Sequence, residues 1–136
     1  MSKRWLLKTE PSTYSFADLQ RDKRTTWDGV KNPQALKNIS QIQDGDQLFV
    51  YHTGAEKAVV GIAVARGTPY PDPKHKDSHL LVFDIAPVAS LPRAVSLAEI
   101  KASPKFKGWE LVRLPRLSVM HVPAEHWIEI ERMANG

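Results

Sequence analysis

Five strand-length apolar segments, separated by turn residues, constrain the fold of this 136-residue chain more than any other feature. Their β-branched and aromatic residues are typical of strands, and one segment alternates Leu81, Phe83 and Ile85 with other residues. Such short, closely spaced strands predict a small, mostly antiparallel barrel or curved sheet. The five segments are residues 4–8 (RWLLK), 47–52 (QLFVYH), 58–66 (AVVGIAVAR), 79–88 (HLLVFDIAPV) and 117–122 (LSVMHV).

Helix-start signals lie between these segments. Ser15 is a predicted N-cap, and Asp18 three residues later completes an approximate capping box. Asn32 is a second predicted N-cap, because Pro33 then occupies the first helical position. Two further helices are predicted over residues 96–102 and 123–133. The resulting order, β-α-α-β-β-β-α-β-α, predicts an α+β fold with inserted and flanking helices.

Glycine and proline positions add detail to the predicted sheet. Residues 47–52 and 58–66 predict a β-hairpin, and Gly61 inside the second strand predicts a bulge or a close backbone approach. The proline-rich residues 69–73 (PYPDP) predict a rigid, extended loop rather than a strand.

The four tryptophans divide between core and a candidate site. Trp5 lies in a predicted buried strand, Trp127 lies on the apolar stripe of the last helix, and Trp109 is also predicted to be core. Glu125, Glu129 and Arg132 are predicted to lie outside that stripe. Trp27 precedes a glycine turn and is open to both interpretations, as a core residue or as a ligand-stacking residue.

Composition narrows the class of protein. No linker or repeat divides residues 1–136, which predicts one domain. The chain has no cysteine, so disulfides, thiol nucleophiles and cysteine zinc sites are excluded. The first apolar run is only Trp5, Leu6 and Leu7, and no segment approaches the ~20 apolar residues of a membrane helix. We therefore expect a soluble, cytoplasmic protein without a membrane partner.

The charge indicates a possible class of partner. The formal net charge is +4 and the pI is about 9.4. Lysine and arginine gain affinity for phosphates by releasing counterions, so a basic chain suits a nucleic-acid partner. This indication is weak by itself, because many small enzymes are equally basic.

An ordered set of motifs resembles the EVE-domain family. The opening residues 5–11 (WLLKTEP) are similar to the Trp/Tyr and Lys-Thr/Ser-Glu-Pro start of that family, and the resemblance extends from about residue 4 to residue 131. Lys31 and Thr53 depart from the arginine and serine that are usual there. The further matches are residues 14–15 (YS), 27–32 (WDGVKN), 44–46 (DGD), 51–53 (YHT), 60–63 (VGIA), 70–73 (YPDP) and 115–120 (PRLSVM).

The resemblance implies a PUA-like fold, a small pseudo-barrel with inserted helices that is related to YTH and ASCH domains. It also implies a pocket for a modified base that is flipped out of a duplex or presented in single-stranded nucleic acid. We expect a modified cytosine in DNA rather than RNA as partner, no cofactor, and a separate effector protein if an effector takes part.

The residues that supply such a pocket centre on Trp27. Its indole can stack on a base, and Asp28 and Asn32 can bind amino and carbonyl groups beside backbone groups at Gly29 and Val30. Polar and aromatic residues near the ends of the predicted strands complete the candidate pocket: Lys8, Thr9, Glu10, Tyr51, His52 and Ser118. The candidate phosphate-binding cations are Lys31, Lys37, Arg66 and Arg116.

Each assignment has an alternative. Lys8, Thr9 and Glu10 also match the residue types of ASCH-like amidohydrolases, which would make the chain a small hydrolase of an acylated nucleoside. Consecutive strand residues cannot all face one side, which weakens that reading. A purely structural or protein-interaction domain is the third possibility. His52 and Tyr51 are equally compatible with structural roles.

A metal site is not expected. Lys74, His75, Lys76 and His79 form a charged turn without the spacing of metal ligands. The sequence contains no Gly-x-Ser-x-Gly elbow, P-loop or HExxH motif, so no catalytic residue is predicted.

Overall fold

The computed structural model describes residues 3–75 and 79–136, in which six strands form one sheet. The strands are β1 (Arg4–Thr9), β2 (Thr25–Trp27), β3 (Gln47–His52), β4 (Ala58–Pro71), β5 (Leu81–Ser96) and β6 (Val119–His121). The helices are α1 (Phe16–Asp22), α2 (Pro33–Ile39), α3 (Leu97–Ala102), α4 (Glu110–Arg113) and α5 (Ala124–Asn135), with a 3₁₀ turn at Pro104–Phe106.

The sheet is mixed, in the order β2-β5-β4-β3-β1-β6. Four of its neighbouring pairs are antiparallel, and only β1 and β3 run parallel. The sheet curls into a half-barrel whose edges are β2 and β6. The mostly antiparallel α+β architecture predicted from the sequence is therefore confirmed. The parallel pair brings the carboxyl ends of β1 and β3 to the same end of the sheet, where the candidate site lies.

The predicted helix starts are confirmed at atomic detail. Ser15 Oγ accepts the backbone N–H of Asp18 at 3.0 Å, and the Asp18 carboxylate accepts the N–H of Ser15 at 2.9 Å. Asn32 Oδ1 accepts the N–H of Ala35 at 3.0 Å, and Pro33 is the first residue of α2. These bonds satisfy backbone donors that a helix leaves unpaired at its start.

One strand was not predicted, and several strand boundaries differ from the prediction. The three-residue strand β2 was not predicted, and it makes Trp27 the last residue of a strand rather than the first of a loop. The loop predicted at residues 69–73 is wrong in part, because β4 continues to Pro71, where Tyr70 pairs with Val82. β5 likewise continues to Ser96. Pairing with strands that are distant in sequence sets these boundaries, and a local residue pattern does not show where such pairing begins or ends.

Gly61 combines both features predicted for it. The register between β4 and β5 shifts between Val59 and Gly61, which marks a β-bulge or irregularity. A Cβ at Gly61 would also lie 2.5 Å from Cζ of Phe16, so the glycine admits the phenyl ring at the start of α1. α1 therefore packs directly on the sheet backbone.

The core contains the three tryptophans predicted there and also Trp27, whose role the sequence left open. Trp5, Trp109 and Trp127 are buried, and Trp127 stacks on Phe49 with ring centroids 3.6 Å apart. Asp46 is also buried, with 1% of its surface exposed. Its carboxylate accepts the Trp5 indole N–H at 2.9 Å and the backbone N–H groups of Lys3 and Gln43 at 3.0 and 2.9 Å. Three donors compensate the burial of one charge.

Glu129 lies outside the apolar stripe of α5 and is nevertheless buried. Its exposed fraction is only 9%, and its carboxylate accepts hydrogen bonds from Arg132 and, at 3.3 Å, from Lys105 Nζ. The hydrogen bonds from Arg132 lower the pKa of Glu129 to about 2. An amphipathic pattern does not identify a carboxylate that is covered by two cations whose own side chains stay exposed.

Residues 3–75 and 79–136 contain neither a candidate membrane-spanning helix nor a candidate metal cluster. No helix there combines the length and apolarity that a membrane crossing requires. No group of three or more metal-ligating side chains is close enough to hold an ion. Within the charged turn considered above, Lys76 lies outside the described residues, as do Met1 and Ser2.

Candidate functional site

The carboxyl ends of the parallel strands β1 and β3 are joined by a hydrogen bond. The backbone N–H of Thr53 donates to the carbonyl oxygen of Thr9 at 2.9 Å, and Thr53 Oγ1 donates to the same oxygen at 3.3 Å. Thr9 lines one cavity and Thr53 lines another. We call these the Trp27 cavity and the Lys8 cavity, after the residue that characterises each.

The Trp27 cavity has a volume of about 390 Å³, within the range of about 300–1,000 Å³ that is typical of small-ligand pockets. Three elements build it: the end of β1, the turn before α1, and the edge strand β2 with the residue that follows it. Its lining is Thr9, Thr13, Tyr14, Thr25, Thr26, Trp27 and Asp28.

An aromatic pair forms one wall of the Trp27 cavity. Trp27 keeps 9% of its surface exposed, and Tyr14 meets it edge to face, with ring centroids 6.5 Å apart and planes at 81°. The Tyr14 hydroxyl donates to the Asp22 carboxylate at 2.9 Å. β2 pairs Trp27 with Phe83 of β5. Packing and hydrogen bonds therefore hold both rings, so a ligand in the cavity meets a preformed aromatic surface.

Asp28 supplies the acceptor of the Trp27 cavity. Its side chain is exposed and has no hydrogen-bond or ion-pair partner among residues 3–75 and 79–136. By contrast, Thr9 Oγ1 donates to the Tyr14 carbonyl at 2.7 Å, and Thr26 Oγ1 donates to Asp84 at 2.8 Å. Asp28 can thus accept hydrogen bonds from a ligand without giving up an internal one, next to the indole of Trp27.

Residues 29–32, which follow Asp28 in the same loop, do not line this cavity. Gly29 has φ +77°, a conformation that favours glycine. Val30 is half-buried against the core, and the Asn32 amide oxygen caps α2. Gly29, Val30 and Asn32 are not among the lining residues, whereas Lys31 is exposed in the same loop.

The Lys8 cavity, of about 270 Å³, contains two other predicted pocket residues. Lys8 Nζ donates to the Pro115 carbonyl at 2.8 Å and lies 5.6 Å from the centroid of the Tyr51 ring, which is buried with 3% exposed. Burial lowers the pKa of Lys8 and raises that of Tyr51. Successive strand residues face opposite sides, so Lys8 and Thr9 belong to different cavities.

Glu10, His52 and Ser118 line neither cavity. The Glu10 carboxylate accepts the N–H and hydroxyl of Ser12, at 3.1 and 3.0 Å, and the Ser12 N–H lowers the pKa of Glu10. Ser118 contributes its carbonyl oxygen to the N–H of Lys8 at 2.9 Å. Lys8, Thr9 and Glu10 therefore do not converge on one cavity, as a shared hydrolytic site would require.

His52 links α1 to the sheet. Only 8% of its surface is exposed, and Nε2 accepts the backbone N–H of Phe16 at 3.0 Å. Nε2 must be unprotonated to accept, so Nδ1 carries the proton and donates to Glu56 at 2.7 Å. Both ring nitrogens are thus occupied within the protein.

The four predicted phosphate-binding cations are all exposed, and none forms an ion pair within the part of the chain that the structure describes. Lys31 follows the Trp27 cavity along the chain, and Arg116 directly follows Pro115 of the Lys8 cavity. Lys37 lies on α2 and Arg66 on β4.

Sequence reasoning missed several lining residues. Tyr14, although part of a family motif, was not assigned to the site, and neither were Thr13, Thr25 and Thr26. Thr25 and Thr26 are β-branched, as strand residues often are, but two such residues are too few to indicate a strand. Lys57 and Lys101 of the Lys8 cavity carried no distinguishing sequence signal.

The chain matches a known protein family and several named relatives. The EVE domain model matches residues 3–133. Thymocyte nuclear protein 1 of Homo sapiens is 28% identical over 128 residues, which cover 75% of this chain and 57% of the relative. The Gallus gallus protein of the same name is 32% identical over 123 residues, covering 71% and 51%. The chain thus spans little more than half the length of these two relatives.

Solved structures agree on the architecture. A protein from Rhodopseudomonas palustris superposes with a TM-score of 0.93 at 33% identity, covering 98% of this chain and 93% of that one. The human THYN1 protein in complex with 5-methylcytosine-containing DNA has a TM-score of 0.90 at 23% identity, covering 99% of both chains.

A more distant likeness agrees with the same fold. The ASCH protein of Zymomonas mobilis has a TM-score of 0.58 at 10% identity, covering 96% of this chain and 95% of that one. Together with the half-barrel sheet and its five helices, this confirms the predicted PUA-like α+β fold. The match of residues 3–133 to the family model shows that the chain belongs to the EVE domain family.

Proposed function

We propose that this chain binds DNA that carries a modified cytosine, and that the Trp27 cavity receives the modified base. The observation that carries the proposal is the juxtaposition of the Trp27–Tyr14 wall and the unpartnered Asp28 carboxylate in one cavity. Support for the class of ligand comes from the human THYN1 protein, whose structure is a complex with 5-methylcytosine-containing DNA.

The cavity offers what a flipped base requires. Extrusion of a base costs a few kcal/mol, and stacking on an aromatic side chain returns about 1–3 kcal/mol. Trp27 provides the stacking surface. Asp28 is suited to the exocyclic amino group of cytosine, which donates to carboxylates, whereas thymine presents a carbonyl oxygen at that position. The proposed recognition therefore combines an apolar face with one acceptor.

A 5-methyl group adds apolar area that the wall formed by Trp27 and Tyr14 can bury. One buried methyl or methylene group contributes about 0.8 kcal/mol, which corresponds to about fourfold in affinity. We therefore expect 5-methylcytosine to be preferred over cytosine by about fourfold or more. The net charge of +4 and the exposed Lys31 supply the sequence-independent part of binding, which weakens as salt increases. A separate effector protein would act on the bound DNA.

The test is a fluorescence-anisotropy titration of labelled oligonucleotides that contain a single cytosine or 5-methylcytosine at a matched position. The native protein should prefer the methylated strand, and Trp27→Phe should weaken binding because the smaller ring stacks less well. Trp109→Phe is the matched control, since this buried tryptophan lies outside the Trp27 cavity and should leave the preference intact. Equal affinity of the native protein for both strands, across salt concentrations, would refute the proposal.

A further inference from the structure

The Lys8 cavity brings together three lysines from separate parts of the chain. Lys8 is the next-to-last residue of β1, Lys57 directly precedes β4, and Lys101 lies on α3. No carboxylate lies within ion-pair distance of these three ammonium groups among residues 3–75 and 79–136. The Glu10 carboxylate accepts a hydrogen bond at 3.3 Å from the hydroxyl of Thr53, which lines the cavity, but it forms no ion pair with the three lysines. The cavity therefore concentrates positive charge that the described part of the protein does not neutralise.

The geometry of Lys8 opposes use of this cavity as a second base pocket. Its ammonium group lies over the Tyr51 ring, with 5.6 Å between Nζ and the ring centroid, so this aromatic face is already occupied by a cation. The ammonium donates to one acceptor, the Pro115 carbonyl, and an ammonium has three donors. Two N–H donors of Lys8 are available to an anion.

The backbone conformation of Lys57 ties its loop to α3. Lys57 has φ +46°, in the left-handed region that side chains other than glycine rarely adopt. Its carbonyl oxygen accepts the N–H of Leu97, the first residue of α3, at 2.8 Å. This bond fixes the loop to the helix that carries Lys101. Strained residues of this kind concentrate at ligand-binding sites, where the surrounding structure holds them.

We propose that the Lys8 cavity is a phosphate-binding site, in which Lys8, Lys57 and Lys101 surround one phosphate group. The apolar residues Leu97, Leu111 and Val112 line the same cavity, and they suit the sugar carbons that a phosphate ester carries. At about 270 Å³ the cavity lies just below the range of about 300–1,000 Å³ that is typical of small-ligand pockets, so it has room for a phosphate group together with the sugar that carries it.

Two sources share this chemistry: a phosphate of the DNA backbone and a free phosphate compound. We assign the site to the backbone phosphate, because the two cavities lie at the same end of the sheet. Thr9 lines the Trp27 cavity, Thr53 lines the Lys8 cavity, and the two residues are hydrogen-bonded to each other. One DNA strand that passes over this end of the sheet, from one face to the other, can then place a base in the Trp27 cavity and a nearby phosphate in the Lys8 cavity. This choice of source rests on the proposed function, whereas the phosphate site itself does not.

The test compares two double variants that remove the same two positive charges. Lys57→Gln with Lys101→Gln changes the site, and both side chains are exposed. Lys23→Gln with Lys107→Gln is the matched control, because Lys23 also has a positive φ (67°) and Lys107 is exposed outside the Lys8 cavity. Thermal unfolding of both variants checks that the fold is retained.

The first measurement uses inorganic phosphate alone at constant ionic strength, followed by the backbone amide resonances of Gly54 and Lys57 in NMR spectra. Phosphate should shift these resonances in the native protein and in the control variant. It should leave the Gly54 amide resonance unshifted in Lys57→Gln/Lys101→Gln. If phosphate shifts the Gly54 resonance equally in both variants, or in neither variant nor the native protein, the site is refuted.

The second measurement uses oligonucleotides with and without 5-methylcytosine. The site variant should bind both about tenfold more weakly than the control variant, with an unchanged preference for the methylated strand. The slope of log affinity against log salt should decrease in magnitude by about one. If phosphate alone binds but the two variants bind DNA equally, the site stands and its source is a free phosphate compound. If the native protein shows no preference for the methylated strand, the proposed function is refuted. The phosphate measurement does not depend on that outcome.

Discussion

The ring of Phe16 lies against the backbone of Gly61, at a distance that leaves no room for a side chain. Cζ, Cε2 and Cε1 of Phe16 would be 2.5, 2.6 and 2.7 Å from a Cβ at residue 61. The backbone N–H of Phe16 donates to His52 Nε2 at 3.0 Å. α1 is thus held to the sheet by one close approach and one buried hydrogen bond, and the turn that carries Tyr14 is positioned by the same contacts.

Gly61→Ala should destabilise the protein by about 1–3 kcal/mol, because the added methyl overpacks a buried contact. Urea unfolding measures this change in the free energy of unfolding. Phe16→Leu in the same chain provides the control, since a smaller side chain relieves the clash. The double variant should be more stable than the sum of the two single losses predicts. Additive losses would show that the Phe16 ring does not cause the effect.

Asp46→Asn should cost about 1–3 kcal/mol of stability, because an amide cannot accept from all three donors around this position and one buried donor is left without a partner. The affected donors are the indole of Trp5 and the backbone of Lys3 and Gln43. Asp44→Asn is the matched control, since Asp44 is exposed and accepts a single N–H, from Gly67. Equal losses for the two variants in urea unfolding would contradict this account.

Acid should weaken the fold through Glu129. Its folded-state pKa of about 2 lies below the ordinary value of 4.5, mainly because of hydrogen bonds from Arg132. A lowered pKa contributes stability that is complete above pH 4.5 and is lost as the pH falls towards 2. Glu129→Gln should therefore flatten part of the decrease in unfolding free energy between about pH 4.5 and pH 2. An unchanged slope in this range would contradict the assignment.

Glu99 provides an independent check of the same window. Hydrogen bonds from Arg93 and from the N–H of Ser96 lower its pKa to about 2. Glu99→Gln should flatten another part of the slope, and the two effects should add because the carboxylates lie in different helices with different arginine partners. Unfolding by urea at several pH values measures both.

Asp28→Asn should relax the choice of base. An asparagine amide can donate to the carbonyl oxygen of thymine, which the Asp28 carboxylate opposes. We expect weaker binding of cytosine-containing strands, by about tenfold, and a smaller discrimination between cytosine and thymine at the target position. Anisotropy titrations with matched strands measure both. Glu125→Gln is the control of equal charge, because Glu125 is exposed on α5 and lies outside the Trp27 cavity. Unchanged discrimination in Asp28→Asn would contradict the role of Asp28.

Features set by neighbouring residues could be predicted from the sequence. The caps at Ser15 and Asn32 depend on residues three positions away, and the close approach at Gly61 depends on the absence of a side chain. β2 could not be predicted, because three residues are too few to show a period. Its existence depends on pairing with β5, which is distant in sequence.

The same limit applies to the candidate site: residues that are close in sequence could be grouped, whereas residues brought together by strand pairing could not. Trp27 and Asp28 do line one cavity together with Thr9, as grouped from the sequence. The grouping of Lys8 and Tyr51 with them did not anticipate the second cavity, since the strand register that pairs Lys8 with Tyr51 is visible only in the sheet. Lys57 and Lys101 join that cavity through the contact between the loop and α3, which no short sequence window contains.

The position of β1 in the sheet has a consequence for the order of folding. β3, β4 and β5 follow one another in the chain and pair as neighbours, so they can assemble through short loops. β1 pairs with β3 and with β6, whose residues come from far along the chain, and closing such long loops is entropically slow. We expect β1, which contributes Lys8 and Thr9 to the two cavities, to join the sheet late. A nascent or partly folded chain would then contain most of the sheet but no binding site, and ligand-binding competence would report completion of folding.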